Sequence, residues 1–209
     1  MSLIKICGLR REIDIAYANE LKPDFIGFIF AESFRRVSIY QASVLRSLLD
    51  PPIKSVGVFV NADLSEIQEL CQRGIIDMIQ LHGDEDGKYV DCLKAMVSQP
   101  IIKTIRIGAG VNNRSSGAQK ADFLMFDAFH EMLRGGGGSS FDWSLIGSVN
   151  KPFFLAGGLN QDNIAEAIRQ VHPYAVDVSS GVETDGYKDF HKMSSLINKV
   201  RIISGNRWL

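Results

Sequence analysis

A lysine and a cysteine in the first strand-like run of the chain are suited to proton chemistry. In Lys5-Ile6-Cys7-Gly8-Leu9-Arg10, the run Leu3 to Leu9 reads as a buried strand that breaks at a glycine. Alternate side chains of a strand share a face, so Lys5 and Cys7 point the same way. A thiol there either packs as a small hydrophobe or acts as a general base tuned by Lys5 and by its place at the strand end. The second candidate is Asp127, which ends the apolar run Phe123-Leu124-Met125-Phe126. An acid in that position ordinarily caps a turn or helix. At the same end of a sheet as Cys7, it completes an acid/base pair.

Such a pair must be positioned by the rest of the chain, and apolar runs alternate with helical patterns from end to end. Strands are expected at Leu3 to Leu9, Phe25 to Phe30, Ile53 to Val60, Met78 to Leu81, Ile101 to Ile107, Phe123 to Asp127, Pro152 to Ala156 and Tyr174 to Val178. Helical stripes fall at 11–21, 39–49, 64–74 (behind the cap candidate Asp63), 89–97, near 144–149, at 163–171, and in a closing helix carrying Met193, Leu196, Ile197, Val200 and Ile203. The segment from Gly108 to Lys120 is rich in Gly, Ser and Asn and lacks a helical period, so the fifth helix is reduced or absent. Continuous apolar strands alternating with helices describe a parallel sheet covered by helices. Eight of them in 209 residues predict a closed (β/α)₈ barrel, with 1–209 as a single catalytic domain. An open dinucleotide-binding sheet lacks support, because no Gly-rich fingerprint follows the first strand.

In this barrel the active site lies at the C-terminal strand ends. Those ends hold Cys7, the loop Ser33-Phe34-Arg35-Arg36, Asn61, Gln80 to Gly83 with His82, Arg106, Asp127, Gly157-Gly158, and Asp177 to Gly181. Loops after strands seven and eight form the recurrent phosphate site of the fold. Here they are Gly157-Gly158 and Ser179-Ser180-Gly181, small residues whose amides can approach an oxyanion closely. The one Lys or Arg from Pro152 to Glu183 is Arg169, inside a helix, so amides and hydroxyls rather than a lysine are expected to hold the phosphate. The glycine run Gly135 to Gly138 is either a loose connector or a mobile cover.

The bulk numbers narrow the class. A formal charge of −1 gives no footprint for nucleic acid or an anionic membrane, and no apolar run reaches membrane-span length. The first strand begins too early to leave room for a signal peptide. Cys7, Cys71 and Cys92 form an odd set without CxxC spacing, so reduced thiols and a cytoplasmic location are expected, with Cys71 and Cys92 in the core. His130, His172 and His191 are scattered without metal-ligand spacing, so no metal is expected. His82 is either a satisfied structural histidine or a substrate contact. The acidic run Asp84 to Asp86 reads as solvated.

The chain resembles the phosphoribosylanthranilate isomerases of tryptophan biosynthesis. The likeness runs essentially end to end. It rests on Lys5-Ile6-Cys7-Gly8, Gly57-Val58-Phe59-Val60-Asn61, Gln80-Leu81-His82-Gly83, Asp127, Gly135 to Gly138 with Phe141-Asp142-Trp143, Ala156-Gly157-Gly158-Leu159, and Asp177 to Glu183. The resemblance implies an Amadori rearrangement with no cofactor, acting on a small phosphorylated substrate; no obligate protein partner is evident in the sequence. Cys7 is then the general base, Asp127 the general acid, and Arg35 the contact to the anthranilate carboxylate. His82 and Asp177 become substrate contacts, and Gly157, Gly158, Ser179, Ser180 and Gly181 hold the phosphate. Two departures stand out: adjacent Arg35 and Arg36 compete for the carboxylate, and the glycine loop is four glycines followed by Ser139-Ser140. The implied mechanism wants the acid's pKa raised by apolar surroundings and the thiol's lowered by positive potential. A histidine-biosynthesis isomerase resembles a duplicated half-barrel with two phosphate sites and paired aspartates, which this chain lacks. A non-catalytic sensor of a phosphorylated metabolite would have no use for Cys7 and Asp127.

Overall fold

The computed structural model describes residues 2–108, 111–112, 116–128 and 142–205. The glycine run 135–138, and with it the expected cover, lies outside the described residues. The apolar runs become eight parallel strands: β1 Leu3–Cys7, β2 Phe25–Ile29, β3 Lys54–Phe59, β4 Met78–Leu81, β5 Ile101–Gly108, β6 Phe123–Ala128, β7 Phe153–Leu155 and β8 Ala175–Val178. Each pairs with its sequence neighbours, and β8 pairs with β1, so the sheet closes on itself as a (β/α)₈ barrel. The helices are α1 Glu12–Leu21, α2 Ile39–Ser47, α3 Leu64–Gln72, α4 Gly87–Met96, α5 Ser116–Lys120, α6 Ile164–Val171 and α7 Phe190–Ile203. The fifth is indeed reduced, to five residues. The helix expected near 144–149 is instead a 3₁₀ turn, Trp143–Ile146, ended by Gly147 at φ 65°.

Caps set where the helices begin. Ser38, Asp86 and Asp189 accept the amides of Gln41, Tyr89 and Lys192 at the starts of α2, α4 and α7. Asp63 occupies the N-cap of α3, but its side chain makes no cap hydrogen bond. At the opposite end of the barrel from the site, one device recurs. Asp24, Asp77 and Asp122, each just before an even-numbered strand, accept the amide of Ile4, Ser55 and Ile101 on the preceding odd strand. These carboxylates tie β1, β3 and β5 to their neighbours and fix the register.

Alternation then divides the strand residues. Even residues of β1, such as Ile4 and Ile6, join the large cluster between barrel and helices. The inward set includes Phe25, Val56, Met78, Ile102, Met125 and Phe154, which plug the barrel floor. Above that floor the inward residues turn polar. Lys5, Gln80 and Asp177 form one level; Cys7 and His82 come two residues after Lys5 and Gln80, and Asp127 two residues after Met125.

Candidate active site

The polar level is a buried ion pair in register: Lys5 lies opposite Asp177 across the β1–β8 pairing, and its Nζ donates to Asp177 Oδ1 at 3.0 Å. A second Nζ bond goes to Gln80 Oε1 at 2.9 Å. The lysine is fully buried, which alone would disfavour its ammonium, yet the Asp177 carboxylate and Cys7 beside it outweigh burial and hold its pKa above the ordinary lysine value. The expected lowering of the Cys7 pKa does not occur. Burial pushes the thiol up, Lys5 pulls it down, the negative charge of Asp177 pushes it up again, and Lys188 pulls it down. Cys71, in the helical layer, is pushed up to about 11 by burial. The core placement expected for Cys92 is wrong; it is exposed on α4.

Glycine on the neighbouring strand makes room for the sulfur. Cys7 pairs with Gly27, where a Cβ would stand 2.6 Å from Cys7 Sγ. Gly27→Ala should therefore displace the thiol, cutting kcat by about 10²-fold from misplacement and stability by about 1–3 kcal/mol from overpacking. Steady-state kinetics and thermal unfolding of the purified variant check this. A wild-type kcat would mean that the thiol's position is immaterial.

Asp127, from β6, sits three strands away from β1 around the barrel. Its Oδ2 is 3.3 Å from His82 Nε2, while His82 Nδ1 lies 3.0 Å from Gln80 Nε2 and 3.2 Å from Thr104 Oγ1. Gly157, at φ 88°, lets the chain pass close by: a Cβ there would come within 3.1 Å of Asp127 Oδ1. The loop carrying His82 is anchored from below by a buried pair missed in sequence, Lys103 Nζ to Glu85 Oε2 at 2.8 Å. Glu85 also accepts the amides of Asn61 and Gly83. The acidic run 84–86 is thus not simply solvated, because its middle residue is a buried anchor.

These groups open into one cavity of ≈ 540 Å³, lined by Cys7, Arg35, His82, Asp127, Gly157, Gly158, Asp177, Ser179 and Ser180. Asn61 and Gln80 join them. Arg36 is exposed, and Arg35 is the arginine of its loop that reaches the cavity. Gly181 packs the two small-residue loops together, since a Cβ there would meet the Leu159 carbonyl at 2.1 Å. Sequence reasoning also missed Lys188, whose Nζ donates to the Ser179 carbonyl at 3.0 Å and to Glu183 at 2.6 Å. It holds the loop from behind and is not among the lining residues.

The family described as N-(5'-phosphoribosyl)anthranilate (PRA) isomerase matches residues 4–199. An N-(5'-phosphoribosyl)anthranilate isomerase of Endomicrobium trichonymphae is 47% identical over 201 residues, covering 96% of this chain and 99% of that protein. The crystal structure of phosphoribosyl anthranilate isomerase from Thermus thermophilus superposes with a TM-score of 0.83 at 27% identity, over 97% of this chain and all of that one. Another phosphoribosyl anthranilate isomerase, crystallised with reduced 1-(o-carboxyphenylamino)-1-deoxyribulose 5-phosphate, aligns at a TM-score of 0.79 and 29% identity, over 96% and 99% of the two chains. A barrel with a thiol and a carboxylate in one cavity, matched in sequence along nearly its whole length, belongs to the N-(5'-phosphoribosyl)anthranilate isomerase family.

Proposed function

We propose that the protein converts N-(5'-phosphoribosyl)anthranilate to 1-(2-carboxyphenylamino)-1-deoxyribulose 5-phosphate in tryptophan biosynthesis, with Cys7 as base and Asp127 as acid. The observation that carries this reading is the convergence of Cys7, Asp127, Arg35 and two small-residue turns on one cavity. Asp127, protonated, donates to the furanose ring oxygen; the C1'–O bond breaks as the anilino nitrogen forms C1'=N. Cys7, as thiolate, removes the C2' proton, and the released pair forms the C1'=C2' enolamine. Loss of the enol proton and protonation at C1' leave the C2' ketone. Lys5 is the counter-ion for the thiolate, and its bond to Asp177 fixes it beneath the sulfur.

Arg35 is assigned to the anthranilate carboxylate, and His82 and Asp177 to the sugar end of the cavity. The phosphate is assigned to Gly157, Gly158, Ser179 and Ser180, where Gly157 and Gly158 both take positive φ and present backbone rather than side chains. The Gly181 amide is assigned to the same cradle, where the residue also packs against the Leu159 carbonyl. The free thiols favour a reducing compartment, so the cytoplasm is the proposed location. Among the described residues, no helix is long and apolar enough to cross a membrane.

The test is turnover by the purified protein of N-(5'-phosphoribosyl)anthranilate and of its dephosphorylated counterpart. The phosphorylated compound should react, with kcat/KM at least ~100-fold higher, since two or more charge-assisted hydrogen bonds contribute at about that level. No turnover would refute the activity, and equal efficiency would remove the phosphate from this cradle.

A further inference from the structure

A polar hairpin beyond the phosphate loop reaches back to the cavity's arginine. Glu183–Thr184 pairs antiparallel with Tyr187–Lys188 across a turn at Asp185-Gly186. Glu183 and Lys188 are buried together with Arg35, at 7%, 1% and 8% side-chain exposure. Arg35 Nε and Nη2 donate to the two Glu183 oxygens at 2.8 and 2.7 Å, a bidentate fork. Lys188 Nζ donates to the same carboxylate at 2.6 Å and to the Ser179 carbonyl at 3.0 Å. Phe34 lies under the guanidinium, 4.1 Å from ring centroid to Cζ. Among the described residues, Arg35 Nη1 has no hydrogen-bond partner, and Arg35 lines the cavity.

The guanidinium is therefore held on its side edge and on one face, with Nη1 left for a ligand. Charges in the cluster sum to one positive: two cations against one carboxylate. Burial works against ionisation of Glu183, but the hydrogen bonds from Arg35 and the charge of Lys188 overcome it and hold its carboxyl below the ordinary range. Burial lowers the Lys188 pKa below the ordinary lysine value, with Glu183 opposing that shift. With both cations charged, the cluster presents one excess positive charge, a match for one incoming carboxylate.

We propose that Glu183, anchored by Lys188, is a positioning residue that orients Arg35 for the ring carboxylate and so sets the preference for an ortho-carboxylated N-aryl substrate. This rests on the assignment of Arg35 to the anthranilate carboxylate. Glu183 itself touches no substrate atom; it acts through the guanidinium. The fork also links the carboxylate end of the cavity to the phosphate loop, because Lys188 joins Glu183 to Ser179.

Calorimetry with two ligands tests the proposal: reduced 1-(o-carboxyphenylamino)-1-deoxyribulose 5-phosphate, and its counterpart with an unsubstituted phenylamino group. In Glu183→Gln the first should weaken about tenfold or more, the size of one lost charge-assisted bond. The second should change less than about threefold. Equal losses for both, or no loss for either, would reduce Glu183 to a structural role and overturn the proposal. Arg35→Met separates the underlying assignment. If it leaves the ratio of the two affinities intact, Arg35 does not bind the carboxylate. If it collapses the ratio while Glu183→Gln preserves it, only the role of Glu183 fails. Should Glu183→Gln not fold, Lys188→Gln removes the second hold on the same carboxylate. Its ratio should fall in the same direction, and an unchanged ratio would overturn the proposal.

Discussion

Cys7→Ser should lower kcat by about 10²–10⁴-fold, the usual contribution of a general base, with the barrel still folded and the product analogue still bound. The hydroxyl fits the same space beside Gly27 and can accept from Lys5, so packing changes little. What is lost is acidity: a serine hydroxyl does not ionise in the range where a thiol does, even a thiol pushed up by burial. Steady-state and single-turnover kinetics on purified variant and wild type provide the measurement. Retention of more than about a tenth of kcat would remove Cys7 from the base role.

Asp127→Asn should cost a comparable factor, again about 10²–10⁴-fold and in kcat more than in KM, because the amide keeps the shape and the contact near His82 but delivers no proton. The variant also isolates the thiol's titration. With the carboxylic acid gone, the residual rate depends on the thiolate fraction, which grows with pH. Since burial has moved the Cys7 pKa upward, the rise should lie above the ordinary thiol range. A steep increase in KM at unchanged kcat would make Asp127 a binding residue instead.

The barrel and most of its cavity were legible in the chain because their signals are local. Strands buried on both faces appear as unbroken apolar runs, and once eight are counted the geometry of the fold sends Cys7, Asp127 and Gly157-Gly158 to one end. The same logic found Lys5 and Cys7 on one face. What stayed hidden depends on partners remote in sequence. Glu183 and Lys188 resemble any polar hairpin until Arg35, 148 positions from Glu183, is folded against them. Glu85 in an acidic run and Lys103 in a strand are buried only because each has the other. Burial is also why the thiol went the wrong way: Lys5 was visible as a cation, but the carboxylate neutralising it lies 172 residues on. Cys92 was misplaced because it adjoins the apolar stripe of α4 without belonging to it; Val90 and Leu93 are buried instead. The packing role of Gly181 stayed hidden because its partner is also remote: the Leu159 carbonyl that a Cβ there would meet comes from a different loop.

The central claim is that the Cys7 thiolate takes the C2' proton. It is tested most directly with N-(5'-phosphoribosyl)anthranilate carrying deuterium at C2' of the ribosyl group. In single turnovers, the wild type should convert the labelled substrate more slowly than the unlabelled one, by a primary isotope effect, and should pass label to solvent water. Cys7→Ser, still binding the product analogue, should release no label on that timescale. Release of deuterium by Cys7→Ser at the wild-type rate would contradict the assignment and place the base elsewhere in the cavity.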